Sequence, residues 1–170
     1  MSDHAEQRPD PMSLPVVAQR GLYYEELQEG VRYVHAPGKT VEDAENGIFS
    51  MLTMNPAALH LDAVAAEEGE YGRRLVNSML TLSTLVGLAV GHITLGTTVA
   101  NLGFARITFP APVFGGDTLF ASTVVLSKRE SRSRPEVGIV VLEHTAHNQH
   151  GAVVAVAERS AMMRRAPAGP

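Results

Sequence analysis

The residues best suited to chemistry lie in one short segment that holds an amide and an imidazole five positions apart. Asn55 and His60 bracket Pro56, and Asp62 follows two positions after the histidine. Histidine is the side chain whose ordinary pKa suits proton transfer near neutral pH, so the segment predicts acid–base chemistry at His60. The alternative is that His60 has a structural role and that Asn55 caps a turn. For Asp62 we predict a helix cap, because it precedes a helical pattern.

Three other histidines do not predict a metal site. His144, His147 and His150 are spaced three apart, and on a strand such residues face opposite sides. His144 and His150 share a face but lie about 20 Å apart. The sequence contains no cysteine, which excludes disulfides and cysteine metal sites. It also contains neither Gly-x-Ser-x-Gly nor a phosphate-binding glycine loop, so the commonest serine hydrolases and nucleotide-binding proteins are excluded.

The elements around the candidate histidine follow from periodicity and turn residues. A near capping box of Thr40 and Asp43 predicts a helix over 41–53, and Pro56 stops it. Its expected apolar stripe consists of Val41, Ile48, Phe49 and Leu52. A loop then leads to a short helix that begins near Asp62. The helix over 78–90 is apolar on nearly its whole circumference, which predicts that other structure wraps it on all sides.

The second half of the chain is predicted to be β-structure. Runs rich in β-branched residues cover 99–109, 118–127, 137–147 and 152–162, and turn residues separate them. The last three runs are expected to be antiparallel neighbours joined by hairpins, and a short strand is expected within 30–37. A curved antiparallel sheet around a buried central helix accommodates this order, so the predicted class is α+β. We expect one domain over 21–164, with flexible arms over 1–20 and 165–170.

Composition excludes several classes of protein. The 170 residues are 45% hydrophobic, which supports a packed core, and 14 Lys and Arg against 18 Asp and Glu give a net charge of −4. This balance argues against a nucleic-acid or anionic-membrane surface. The stretch 75–105 has no charged residue, but polar residues interrupt it, so we expect a buried helix and a strand rather than a membrane span. The missing cysteines and the charged first residues favour a cytoplasmic protein without a signal peptide.

Three segments together resemble the MaoC-like dehydratases, a hot-dog-fold family that includes (R)-specific enoyl-CoA hydratases. Phe49, Leu52, His60 and Asp62 match the family's Phe-x-x-Leu-Ser-Gly-Asp-x-Asn-Pro-x-His-x-Asp spacing. The segment 109–119 is similar to the family's Phe-x-x-Pro-Val-x-x-Gly-Asp-Thr-Leu stretch, and 75–80 stands where the family has a His-Gly pair. The resemblance covers about residues 22–163. The Leu-Thr-Met-Asn run and the Lys-Arg-x-Ser-Arg-Ser-Arg-Pro loop resemble a branch related to mesaconyl-CoA hydratases.

The resemblance implies a hydratase/dehydratase acting on enoyl-CoA thioesters, with a homodimer or higher homo-oligomer and no metal or redox cofactor. It implies that His60 is the general base and that the Ser78 N–H stabilises the thioester oxygen. The family's Asp, which precedes the histidine with four residues between them, aligns with Asn55 or with Thr53, so its carboxylate is absent. Asn55 would instead hold the water or orient the ring, and the neighbouring Asn77 is a candidate substrate-binding residue.

Arginines are further candidates for substrate binding. The loop 128–134 carries four cations and one glutamate, and its Arg129, Arg132 and Arg134 could pair with the phosphates of CoA. A solvated hairpin tip is the alternative. Arg73 and Arg74 precede the central helix and could meet a second carboxylate on the acyl group. Two other functions stay open at this point, namely a hot-dog acyl-CoA thioesterase and a catalytically silent acyl-CoA-binding or partner subunit.

Overall fold

A computed structural model describes residues 10–167. The parts of the two predicted arms at 1–9 and 168–170 therefore lie outside the described residues. After a single 3-10 turn at Pro11–Ser13, the helices and strands follow in this order: β1 (Arg32–Val34), β2 (Lys39–Thr40), α1 (Asp43–Leu52), α2 (Ala58–Leu61), α3 (Ala63–Glu67), α4 (Ser78–Ala89), β3 (Thr98–Thr108), β4 (Thr118–Glu130), β5 (Val137–His147) and β6 (Val153–Arg164). A π-helical turn over Val90–Thr94 extends α4.

One antiparallel sheet forms the frame of the molecule. Its strand order is β1-β4-β5-β6-β3, and β2 pairs with the start of β4. The prediction that the last three strands are antiparallel neighbours is confirmed, with Thr123 opposite His144 and His144 opposite Ala157. α4 packs on β4, β5 and β6, which is the α+β arrangement of a helix against a sheet. Within the described residues, β3 pairs only with β6, so its outer edge is unpaired.

The prediction that α4 is wrapped on all sides is wrong for this chain by itself. Leu85 and Ala89 are buried against the sheet together with Thr81 and Thr84, whereas the side chain of Met79 is 45% exposed. The physical reason is that the sheet covers one side of the helix, and the apolar residues on the opposite side find no cover within the described chain. No helix among residues 10–167 is long and apolar enough to cross a membrane.

α1 turns polar residues inward, so the expected apolar stripe is wrong. Asn46 and Ser50 are buried, while Ile48 and Leu52 are exposed. Val41 is buried, but it lies before the helix begins. Hydrogen bonds from the buried polar side chains to neighbouring segments explain this reversal, since a buried amide that is fully bonded loses little by leaving water.

The start of α1 is capped by glutamates rather than by the predicted pair of Thr40 and Asp43. Glu42 is the N-cap residue, and its N–H donates to the Glu45 carboxylate at 3.0 Å. That hydrogen bond, and the nearby Lys39 ammonium, lower the pKa of Glu45 below its ordinary value. The negative charge also suits a helix N-terminus, where the backbone dipole is positive.

The end of α1 has the hydrogen bonds of a Schellman motif without its usual glycine. Met54 N–H donates to the Met51 carbonyl at 3.1 Å, and Asn55 N–H donates to the Ser50 carbonyl at 2.9 Å. Met54 has a φ of +54°, the one positive φ of a non-glycine residue in the described chain. The turn reverses the chain and sends it through Pro56 into α2.

A polar layer lies on the inner face of the sheet between two apolar clusters. Nδ1 of His35 lies 3.3 Å from Nδ1 of His92, and Nε2 of His35 lies 2.8 Å from the Thr123 hydroxyl. That hydroxyl lies 2.7 Å from Nδ1 of His144. Burial lowers the pKa of His35 to about 4 and that of His144 to about 3, with the charge of Arg159 adding to the second effect. Both imidazoles are therefore neutral at pH 7.

Candidate functional site

His60 lies on the one-turn helix α2, where a loop was predicted. The residue is 9% exposed, and its Nδ1 lies 2.8 Å from the carbonyl oxygen of Leu75. A carbonyl only accepts hydrogen bonds, so this contact places the proton of the neutral ring on Nδ1. Nε2 has no hydrogen bond within the described chain and is not sealed from solvent. The tautomer therefore leaves an available lone pair on Nε2, as a general base requires.

The N-terminus of α4 begins directly after the segment that binds His60. The Asn77 side chain accepts a hydrogen bond from Met79 N–H at 3.0 Å and caps the helix. Ser78 is the first helical residue, and its N–H has no hydrogen-bond partner among residues 10–167. The first N–H groups of a helix have no partner inside it, and the helix dipole makes them attractive to negative charge. Ser78 therefore presents an amide donor three residues after the carbonyl that binds His60.

A hollow of about 180 Å³ opens beside Ser78. We call it the α4 hollow, and it lies between the residues that enter α4 and the segment 109–113 that follows β3. Val76 N–H donates to the Val113 carbonyl at 2.8 Å, which ties the two walls together. Thr81 and Val154 also border it. The walls combine apolar side chains with the polar groups of Tyr71, Ser78 and Thr81. His60 itself does not line the α4 hollow and reaches it only through the Leu75 carbonyl.

Asn55 does not border the α4 hollow. Its Oδ1 accepts a hydrogen bond from Ala57 N–H at 3.1 Å, which is the turn-capping alternative considered from the sequence. It lines a second, apolar hollow of about 390 Å³, which we call the α1 hollow. The other residues that line it are Ser50, Met51, Met54, Pro56 and Leu61. Asp62 accepts hydrogen bonds from the N–H groups of Val64 and Ala65, which confirms its predicted role as a helix cap.

The arginines before α4 already have partners. The Arg73 guanidinium lies over the Phe114 ring at 3.7 Å, and Arg74 pairs with Asp43 at 3.2 Å. Both arginines line a hollow of about 290 Å³ next to Gly115. They lie near the start of α4, but a ligand carboxylate would have to compete with these contacts.

The basic loop lies at the other end of the sheet. Arg129 and Arg132 line a hollow of about 420 Å³ at the tip of the β4–β5 hairpin, and Arg134 pairs with Glu136 at 2.7 Å. The 13 residues of β4 separate this tip from the segment before Thr118, a length of about 40 Å along the strand. Within one chain, these arginines are therefore not brought to the α4 hollow.

Asn46 is a buried polar residue that sequence reasoning missed. Its side chain on α1 donates to the carbonyl oxygens of Leu75, at 3.0 Å, and His60, at 3.3 Å. It also accepts from Asn77 N–H at 2.8 Å. The signal in the sequence was weak, because one asparagine within a helical pattern is ordinarily a surface residue.

Comparison with known proteins decides the family. Residues 26–148 match the family model of the MaoC like domain. This chain belongs to the MaoC-like family. The MaoC-like chain is 29% identical over 145 residues to the beta-methylmalyl-CoA dehydratase of Chloroflexus aurantiacus. The aligned residues make up 85% of this chain and 41% of that protein. It is 30% identical over 145 residues to the mesaconyl-CoA hydratase of Cereibacter sphaeroides, covering 85% of this chain and 42% of that protein.

Solved structures show the same fold. A MaoC-like dehydratase from Rhodospirillum rubrum superimposes with a TM-score of 0.78 and 30% identity, covering 87% of this chain and all of that one. A Mycobacterium tuberculosis protein described as having a double hotdogfold superimposes with a TM-score of 0.78 and 24% identity, covering 88% of this chain and 46% of that one. These similarities confirm the predicted hot-dog fold. The MaoC-like chain spans about two fifths of the length of the two curated relatives.

Proposed function

We propose that this protein adds water reversibly across the 2,3 double bond of an enoyl-CoA thioester. The observation that carries the proposal is the hydrogen bond from Nδ1 of His60 to the Leu75 carbonyl, three residues before the Ser78 amide. It links a base with a free lone pair to a helix N-terminus that can accept negative charge. Membership of the MaoC-like family and the names of the relatives support the same class of reaction.

In the hydration direction, Nε2 of His60 removes a proton from a water molecule as the water oxygen bonds to C3. The electrons of the double bond move toward the thioester carbonyl, which becomes enolate-like. The imidazolium then returns the proton to C2, so the product contains one added water and the enzyme is regenerated. The Nδ1–H bond to Leu75 supports this cycle because it keeps the ring in one orientation throughout.

The Ser78 N–H stabilises the negative charge that develops on the thioester oxygen in this mechanism. A preorganised backbone donor in a partly enclosed hollow stabilises such charge better than the same donor does in bulk water. The exposed start of the dipole of α4 acts in the same sense. Asn55 lines the α1 hollow rather than the α4 hollow, so it would hold the attacking water only where that water lies between the two hollows. Asn77 is buried and would act by capping α4 directly before Ser78 rather than by touching the substrate.

The substrates that we propose are short branched or dicarboxylic acyl-CoA thioesters, with an (R)-3-hydroxyacyl product. The support is that the two curated relatives are named for mesaconyl-CoA and beta-methylmalyl-CoA, both of which carry a second carboxylate. Arg73 and Arg74 are the nearest candidate partners for that group, while Arg129, Arg132 and Arg134 would bind CoA phosphates only if a second chain brought them to the site. We propose no metal or redox cofactor.

A panel of thioesters tests the proposed reaction. The full chain is incubated with enoyl-CoA and 3-hydroxyacyl-CoA thioesters, including crotonyl-CoA and mesaconyl-CoA, and the products are weighed by mass spectrometry. We expect loss of the enoyl-thioester ultraviolet band, a product heavier by one water and no free thiol. Release of free thiol would instead identify a thioesterase. Tight binding without either change would identify a silent acyl-CoA-binding subunit, which the missing carboxylate at Asn55 makes the second candidate function.

A further inference from the structure

Asn46 occupies a position in α1 where a helix packed on its neighbours ordinarily presents an apolar side chain. The residue is 1% exposed, and an amide removed from water is unfavourable unless its hydrogen-bonding groups find partners. Both hydrogens of the Asn46 amide are donated, to the carbonyl oxygens of Leu75 and His60, and its oxygen accepts from Asn77 N–H. The side chain is therefore fully bonded, and each partner is a backbone group of another segment.

The three partners of Asn46 belong to the two halves of the proposed site. The Leu75 carbonyl, which accepts from Asn46 Nδ2, is the same oxygen that accepts from Nδ1 of His60. The His60 carbonyl also accepts from this amide, so Asn46 holds the His60 backbone directly and its ring through the shared Leu75 carbonyl. Asn77, held through its N–H, is the residue that caps α4 immediately before Ser78. One side chain thus lies between the base and the amide donor.

We propose that Asn46 is the positioning residue that holds the His60 imidazole and the Ser78 amide at their working separation. The inference rests on the proposed hydration reaction, but its geometric content concerns only the tautomer and orientation of His60. Asn46 touches neither the substrate nor the reacting atoms. It acts through Leu75, because the carbonyl that receives the imidazole proton keeps its place only while the amide bonds hold it.

The chemistry of the side chain explains why an amide is required. Aspartate has the same shape but offers acceptors only, so its oxygens would face the Leu75 and His60 carbonyls and repel them. Alanine would leave all three backbone groups buried without partners. Ser50 provides a matched comparison, because it lies one turn later on the same buried face and its side chain makes only one long hydrogen bond, from Nδ2 of Asn77 at 3.4 Å.

The test compares Asn46→Asp with Ser50→Ala in the full chain. For Asn46→Asp we expect kcat for crotonyl-CoA hydration to fall about 10- to 100-fold, as a displacement near 1 Å does to a reacting pair. KM should change little, because the substrate contacts are retained. Ser50→Ala should keep wild-type kcat even if its melting temperature falls. Equal kcat for wild type and Asn46→Asp would overturn the proposal.

A second measurement does not depend on the reaction. Histidine ring nitrogen NMR shifts, assigned by comparison with His60→Gln, distinguish an Nδ1–H from an Nε2–H tautomer. We expect Nδ1–H at His60 in the wild type and in Ser50→Ala, and mixed tautomers in Asn46→Asp. If the wild type hydrates none of the thioesters, the proposed function fails while this result still decides the role of Asn46. If Asn46→Asp does not fold, Asn46→Ser replaces it with the same expectations, and a wild-type tautomer in that variant would overturn the proposal.

Discussion

The hydrogen bond between the His60 ring and the Leu75 carbonyl decides the tautomer of the candidate base. It places the proton of the neutral ring on Nδ1 and leaves the lone pair on Nε2, so Nε2 is the base in the proposed reaction. The same imidazole with its Nδ1 facing water would sample both tautomers and both ring orientations. A backbone carbonyl therefore does for this histidine what a carboxylate does in many catalytic pairs.

We expect His60→Ala to lower kcat/KM for enoyl-CoA hydration at least about 100-fold, the effect of losing a general base. Steady-state hydration followed by the enoyl-thioester absorbance measures it. His150→Ala is the matched control, because His150 is exposed at the β5–β6 hairpin and should be dispensable. A folded His60→Ala protein with near-normal kcat/KM would contradict the assignment of the base.

Replacement of Asn55 by Asp tests whether a carboxylate is the only missing part of the family's usual site. Asp can accept from Ala57 N–H as Asn55 does, so we expect an unchanged melting temperature. We expect activity towards crotonyl-CoA to rise, because a carboxylate can take up a proton and an amide cannot. Asn55→Leu, which loses the turn contact, should be less stable by about 1 kcal/mol. Lower activity in a fully stable Asn55→Asp protein would show that the amide itself serves the substrate.

At the scale of elements, the end of α1 carries a conformational cost that the sequence does not reveal. Met54 adopts a positive φ in a turn where helices ordinarily place glycine, and its side chain is 89% exposed. The conformation is held by the two hydrogen bonds of the turn rather than by packing. The same turn directs the chain toward α2 and so contributes to the placement of His60.

We expect Met54→Gly to raise the free energy of unfolding by about 1 kcal/mol, because glycine adopts a positive φ without steric cost. Urea denaturation measures the change. Met51→Gly is the control, since Met51 is also exposed but lies inside the helix, where glycine should cost about 1 kcal/mol. Equal losses in both variants would contradict the role assigned to the positive φ.

The inner face of the sheet makes stability depend on pH through His35 and His144. Their folded pKa values, about 4 and about 3, lie below the ordinary value of 6.5. The unfolded chain therefore binds more protons than the folded chain at pH values below about 6.5. The stabilisation is complete above that pH and is lost as the pH falls toward the folded pKa values.

Between pH 6 and pH 5 we expect the free energy of unfolding to decrease by up to about 1.4 kcal/mol per pH unit for each of these histidines. Urea denaturation at several pH values within this window measures the slope before most carboxylates titrate. His35→Gln should reduce the slope of unfolding free energy against pH, because one fewer proton is taken up on unfolding. A wild-type stability that stays constant from pH 7 to pH 5 would show that the two imidazoles are not shielded as described.

At the scale of the whole molecule, two surfaces stay uncovered within residues 10–167. The outer edge of β3 is unpaired in the described chain, and one side of α4 exposes Met79. An unpaired edge strand is ordinarily covered or paired. The curated relatives are more than twice as long as the part that this chain matches. We infer that a second copy of the chain supplies the cover.

Light scattering of the full chain during size exclusion is expected to give a mass of twice 18.2 kDa. Leu102→Lys, which places a charge on the exposed edge strand β3, should shift the protein toward the monomer. Leu126→Lys is the control, because Leu126 is similarly exposed, at 43% against 47%, but lies on the interior strand β4. A monomeric wild type, or equal behaviour of the two variants, would contradict the inferred interface.

Much of the fold could be predicted from local patterns. The four long strands begin and end within three residues of the predicted limits, and α4 begins at the predicted residue. Asp62 caps a helix as expected. These features depend on neighbours along the chain, because alternation, helical period and turn residues act over a few positions. The candidate base His60 also came from a local pattern, its spacing to Phe49 and Asp62, and its role stays a prediction.

The features that escaped prediction depend on residues far apart in the chain. The inward face of α1 is polar because Asn46 meets groups 14 and 31 positions away, and no period along the helix encodes those partners. Arg129 and Arg132 share a charge pattern with a binding site, yet the long strand β4 separates them from Ser78. The local sequence pattern specifies which helices and strands form, because helical period, strand alternation and turn residues involve only neighbours along the chain. Which polar groups meet, and which apolar faces stay uncovered, is set by packing between distant segments.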